Sequence, residues 1–202
     1  MFNWCKNIKV GTSIIVIVVF SIISLVIINF QGVNGMKKIN SNMEKMYANR
    51  MVPSLLACDA SNVIKDMRAN AYKAIAESST KYDAQIKDCE SKFYKDMAQY
   101  SKSEMDDIEI KDIKEAKEAL REYMKCWETA QLYMGMKKPI PDEINEKWNK
   151  CTDEMLKSLD DLNIHNAEVA AKLDKEGSEV FNFTKVQFLI VVIISIIILI
   201  AI

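Results

Sequence analysis

The sequence predicts an all-α protein, an antiparallel up-down-up-down four-helix bundle flanked by two transmembrane helices. Three observations carry that prediction. Charge-free apolar runs of 19 and 17 residues, Val10 to Ile28 and Val186 to Ile202, sit at opposite ends of the chain. Between them glycine and proline are scarce: Gly32, Gly35, Gly135 and Gly177, with Pro53, Pro139 and Pro141, so the elements there are few and long. The apolar residues of the same stretch recur at steps of three and four, which keeps them on one helical face.

The first apolar run is about the length a helix needs to cross a hydrocarbon core. It is expected to be an uncleaved anchor over residues 10–30. A cleaved signal peptide would have a shorter apolar region and a small-x-small cleavage site, whereas this chain continues Asn29-Phe30-Gln31-Gly32. Residues 1–9 carry Lys6 and Lys9 and no acid, a positive flank that is expected to stay cytoplasmic and send the central domain, residues 31–185, outside the cell. The second run, residues 186–202, stops where the sequence stops. It is expected to be a second membrane helix cut short in a longer protein.

The expected first bundle helix carries Leu56, Ala60, Val63, Met67, Ala71 and Ala74. Ser78-Ser79-Thr80 ends it and offers hydroxyl caps to the next. The second reads Tyr82, Ile86, Cys89, Phe93, Met97 and Tyr100, and residues 100–103 close it. The third reads Ile113, Ala116, Leu120, Tyr123, Trp127, Ala130 and Met134. Residues 135–141 form the last break, where Pro141 suits a first helical position and Asp142 and Glu143 suit the positive end of the helix dipole. The fourth carries Ile144, Trp148, Cys151, Met155, Leu159 and Leu162 and continues through Val169, Leu173 and Val180. Connections this short make successive helices antiparallel. Pro53 is expected either to start the bundle part of the first helix or to bend it.

Composition narrows function. All 28 acids and 25 of the 27 basic residues lie between the apolar runs, leaving that stretch near −3, with arginine only at positions 50, 68 and 121. Such a balance gives no nucleic-acid footprint. No nucleophile motif, phosphate loop or zinc signature occurs, so neither an enzyme nor a bound cofactor or metal is expected. Acidic pairs such as Asp106-Asp107 and Asp160-Asp161 read as exposed surface.

Depth below the end of the bundle far from the membrane can be counted from the breaks at residues 78–80 and 137–141. Ten residues below it is about 15 Å. That level holds Arg68, Cys89, Cys126 and Cys151. A ligand site there would draw on Arg68, Tyr72, Asn149 and Thr152. Arg68 borders the apolar stripe, where a guanidinium meets a carboxylate bidentately; an arginine beside a stripe is also an ordinary surface residue. Cys89, Cys126 and Cys151 are read as core thiols or a disulfide between helices. His165 has no partner near it in sequence and is read as packed or solvated.

Residues 46–75, MYANRMVPSLLACDASNVIKDMRANAYKAI, resemble the first helix of the four-helix-bundle sensory domain of bacterial methyl-accepting chemotaxis proteins. Tyr47, Asn49, Arg50, Pro53, Leu55, Leu56 and Arg68 carry the match. The resemblance implies a homodimer paired along the first helix. It implies a small-molecule ligand or a binding protein outside the cell, and a ligand-driven displacement of the fourth helix relative to the first. In this family, first-helix arginines near the distal end bind amino or organic acids, and Arg68 is similar in place. Arg50 lies lower and is expected to serve packing or the dimer contact. The same bundle also resembles the input module of some histidine kinases and cyclic-dinucleotide enzymes. A membrane-anchored bundle that binds a partner protein is the reading from another class.

Overall fold

The computed structural model describes residues 10–201. The expected cytoplasmic N-terminus, residues 1–9 with Lys6 and Lys9, lies outside them, as does Ile202. Helix α1 spans Val10–Met46, a π-helical segment spans Tyr47–Met51, and α2 spans Val52–Glu77. A 3-10 turn, Thr80–Tyr82, leads into α3, Asp83–Tyr100; α4 spans Asp107–Gly135 and α5 Asp142–Ala201. No strand occurs among the described residues. The chain divides into two compact units, one being Lys45–Ala171 and the other the outer parts of α1 and α5.

The first unit is the four-helix bundle, made by α2, α3, α4 and residues 142–171 of α5. Its core follows the expected stripes on α3, α4 and α5, with Phe93, Met97, Leu120, Trp127, Met155 and Leu159 all essentially inaccessible. Each such side chain contributes about 1.5–3 kcal/mol by leaving water. On α2 the stripe differs from the expected one: Ala57 and Ile64 are buried, whereas Leu56 and Val63 only pack against the edge. Alanines at 57, 60, 71 and 74 present a flat surface, and the larger side chains of the other helices fill the space in front of it.

Local chemistry sets the helix ends. Helix α2 stops in a Schellman motif, with Ser78 in the left-handed region at φ 46° and Ser79 N–H donating to the Ala74 carbonyl at 3.0 Å. Helix α4 stops the same way, but the left-handed residue is Lys137 at φ 56° and not the nearby Gly135, which stays helical. Asp106 caps α4 through a full capping box with Glu109. Ser101 and Ser103 turn back instead, their hydroxyls donating to the Met97 and Tyr100 carbonyls at 2.7 Å each. Pro141 immediately precedes α5, one residue before the expected place, and its carbonyl accepts from Ile144 and Asn145.

The π segment answers the question raised by Pro53. Proline has no N–H to give to the carbonyl four residues back, at Asn49. The ladder widens just ahead of it, where Val52 N–H donates to the Tyr47 carbonyl five residues back. Pro53 thus becomes a buried residue in the first turn of α2.

The second unit pairs the outer parts of α1 and α5. Each holds a segment long and apolar enough to cross a membrane, with mean hydropathy 2.7 and 2.2. These surfaces are bare: Leu25 is 65 % exposed and Ile197 59 %. The two helices approach closely at Gly35, where a Cβ would stand 2.8 Å from Thr184 Oγ1.

Candidate functional site

Arg68 and Tyr72 stand one turn apart on α2, so both side chains project from the same face. Asn149 reaches them from α5. Its Oδ1 accepts from Arg68 Nη2 at 3.0 Å and from the Tyr72 hydroxyl at 2.7 Å. The guanidinium lies 5.6 Å from the centre of the Tyr72 ring. The Tyr72 hydrogen bond is the chief cause that raises the Arg68 pKa above its ordinary value, so the cation is secure. Its nearest carboxylate, Asp153, stands 4.0 Å away and is itself 74 % exposed. This half-open guanidinium therefore keeps donors for an incoming acceptor.

Of the four residues expected in a ligand site, the structure gathers Arg68, Tyr72 and Asn149 into one hydrogen-bonded cluster. Thr152 is not in it. It is 1 % exposed and its hydroxyl donates to the Trp148 carbonyl at 3.1 Å, because the fourth-helix face that carries it turns inward.

An aromatic group lies behind the cluster. Tyr72 is 6.1 Å from Trp148, which stands 5.2 Å from Tyr123 and 5.7 Å from Trp127, centre to centre. The Tyr123 hydroxyl and the indole N–H groups of Trp127 and Trp148 are buried without hydrogen-bond partners. Burial pushes the Tyr123 phenol well up, keeping it neutral. The periodicity of α4 and α5 placed these rings in the core but said nothing of their unsatisfied donors.

The cysteines are free thiols: Cys89, Cys126 and Cys151 are buried and Cys58 is exposed. No disulfide joins them, and burial raises the three core thiols above the ordinary cysteine value, which makes them poor nucleophiles.

A second polar cluster lies at the other end of the bundle, and sequence reasoning missed it. Arg50, carried by the π segment, donates to Glu109 Oε2 at 2.7 Å and to Asn166 Oδ1 at 3.3 Å. Tyr100 donates to Glu109 Oε1 at 2.8 Å and accepts from Asn166 Nδ2 at 2.6 Å. Glu109, Tyr100 and Asn166 are all at most 1 % exposed. The cluster therefore ties the π segment, the end of α3, the start of α4 and α5 together. Arg50 serves packing here.

Asp106, expected as surface, and His165, expected as packed or solvated, extend the cluster, and His165 is packed, its side chain 16 % exposed. Asp106 is a cap, not idle surface, and His165 Nε2 lies 2.6 Å from Asp106 Oδ2, across 59 residues of sequence. Burial alone would raise the Asp106 carboxyl; the Glu109 backbone N–H and His165 outweigh it and hold it below its ordinary value. Asp106, Glu109 and His165 offer atoms within 4.8 Å of one another, a spacing open to a metal ion. Both Glu109 oxygens and both Asp106 oxygens already serve partners inside the protein, so an ion would have to break that network.

With a four-helix bundle, two apolar helical segments and a distal polar cluster on its first and last helices in place, comparison with known proteins is decisive on one point. The family model described as a four helix bundle sensory module for signal transduction matches residues 7–181. The chain belongs to this family. No curated protein and no solved structure matches it. The family is one of sensory modules and not an enzyme family.

Proposed function

We propose that this sensory module is the extracytoplasmic input of a two-pass transmembrane chemoreceptor. It binds a small molecule through Arg68, Tyr72 and Asn149 and passes a helix displacement to a cytoplasmic signalling domain. The observation that carries the reading is the bridging of α2 and α5 by a guanidinium with no carboxylate closer than 4.0 Å. An anionic ligand, such as an amino or organic acid, would take the place of the Asn149 oxygen and gain a charge-assisted pair. Ligand binding shifts a two-state receptor only if affinity differs between the states. A contact shared between the first and last bundle helices meets that condition whenever α5 moves against α2.

Two further elements belong to the proposal. The lysines at 6 and 9 favour a cytoplasmic N-terminus and a bundle outside the cell. Homodimer pairing would use the first bundle helix, where Tyr47, Met51 and Leu55 are 61, 54 and 56 % exposed at one-turn spacing and Cys58 follows on the same face. The test is a thermal-shift screen of the full chain in detergent against amino and organic acids, repeated with Arg68→Ala. Stabilisation by an anionic compound that the variant loses supports the proposal. No response to any anion, or one unchanged in Arg68→Ala, refutes it.

A further inference from the structure

A groove of about 430 Å³ runs between α4 and α5 on the bundle, away from the Arg68 cluster. Six acids line it, Asp112, Glu115, Glu118, Glu122, Glu154 and Asp161, against the lysines 111 and 157. Most of these acids are already neutralised. Glu122 sits between Lys125 at 2.6 Å and Lys147 at 2.9 Å. Glu115, Glu118 and Glu154 each have a lysine one turn away at 3.6 to 4.0 Å.

Acidic lining alone would mean little, but two side chains in the floor lack any such explanation. Asp112 is 6 % exposed and Ser158 7 %, and neither makes a side-chain hydrogen bond or ion pair among the described residues. Neither is sealed off: each keeps a few per cent of its surface open and lines the groove. Asp161 lines the same end and also has no cationic partner within 4.0 Å, although Lys157 stands on the same wall. Burial, then the charge of Asp161, pushes the Asp112 carboxyl above its ordinary value. A buried carboxylate with no partner is costly, and a bound cation removes that cost.

We propose that this groove binds an aliphatic organic ammonium ion, with its ammonium group held by Asp112, Asp161 and the Ser158 hydroxyl and its methylenes lying along Ala119. An ammonium has three donors, matching three acceptor side chains. A bare metal ion fits less well. Calcium takes six to eight oxygens, whereas the only three-ligand cluster among the described residues is Asp106, Glu109 and His165. From Asp112 to Glu122 is about 15 Å along the helix, enough for an extended diamine or triamine. The groove is independent of the Arg68 cluster, so either proposal can fail while the other stands.

The experiment is calorimetric titration of the full chain, in zwitterionic detergent, with 1,4-diaminobutane and spermidine. Sodium chloride and magnesium chloride at matched ionic strength serve as controls. Saturable amine binding that Asp112→Asn weakens at least tenfold, and that Arg68→Ala leaves unchanged, is the expected result. Three outcomes overturn it: no saturable amine binding, an equal response to the simple salts, or unaltered affinity in Asp112→Asn. Circular dichroism of the Asp112→Asn chain, with Asp161→Asn as a second variant, separates lost binding from lost folding.

Discussion

Replacing Arg50 by methionine removes the one cation that faces Glu109, whose side chain is wholly inaccessible; Arg50 itself is 13 % exposed. Breaking a buried pair from one side costs about 3–5 kcal/mol. Glu109 would keep the Tyr100 hydroxyl and the Asp106 N–H, which places the loss near the lower end, at about 3 kcal/mol. For a chain of this size that corresponds to a fall in Tm of about 6–12 °C. Adding Glu109→Gln removes the stranded charge while keeping an amide that can still accept from Tyr100. The double variant should therefore recover about 2 kcal/mol, a coupling typical of residues in one network. Denaturant and thermal unfolding followed by circular dichroism at 222 nm, on wild type, both single variants and the double variant, read this directly. A single-variant loss under about 0.5 kcal/mol, or a double variant no better than Arg50→Met, would refute the claim that a buried charge pair holds this end of the bundle.

Other changes report on other parts of the account. Lys137→Gly relieves a left-handed conformation in a residue with a side chain and should stabilise the bundle by about 0.5–1 kcal/mol, read by the same unfolding curves. Maleimide labelling of the folded chain, mapped by mass spectrometry, should modify Cys58 quickly and Cys89, Cys126 and Cys151 only after denaturation; fast labelling of those three would contradict their burial. Asp112→Asn should stabilise the chain at neutral pH, with an advantage that shrinks as the solution is acidified. The folded state holds that carboxyl above its unfolded value through burial, Asp161 and Glu115, against Lys111 and His165, so its favourable protonated form is lost as pH rises. An advantage constant with pH would show that the carboxyl is not perturbed. Gly35→Leu should force α1 and α5 apart at the close contact with Thr184, seen as altered cross-linking between cysteines placed on the two helices.

Most of the fold was legible because long stretches with few breakers repeat apolar residues at three and four, and that pattern leaves little choice but packed helices. The α2 stripe was misread at Leu56 and Val63 because neighbouring apolar residues, Ala57 and Ile64, compete for the same face and only tertiary packing chooses between them. The break at residues 135–141 was legible, and α4 does end at Gly135, but that the left-handed residue of its cap is Lys137 was not, since the cap depends on backbone geometry. Arg68, Tyr72 and Asn149 could be grouped by counting residues from the bundle tip. Thr152 could not be excluded that way, since one helical step separates a surface position from a core one. Contacts such as His165 with Asp106 and Arg50 with Glu109 join residues 59 apart in the chain, and no local pattern encodes them. The Asn49-Arg50 pair ahead of Pro53 was the available signal: both polar side chains reach the residues around the start of α4, Asn49 meeting Glu104 at 3.2 Å and Arg50 meeting Glu109 at 2.7 Å.

The small-molecule site proposed between α2 and α5 centres on one guanidinium. Isothermal titration of the best anionic compound into wild type and Arg68→Ala measures this most directly. At least a tenfold loss of affinity in the variant, with its melting curve otherwise unchanged, is what the Arg68–Tyr72–Asn149 geometry predicts. Equal affinity in both proteins would contradict it.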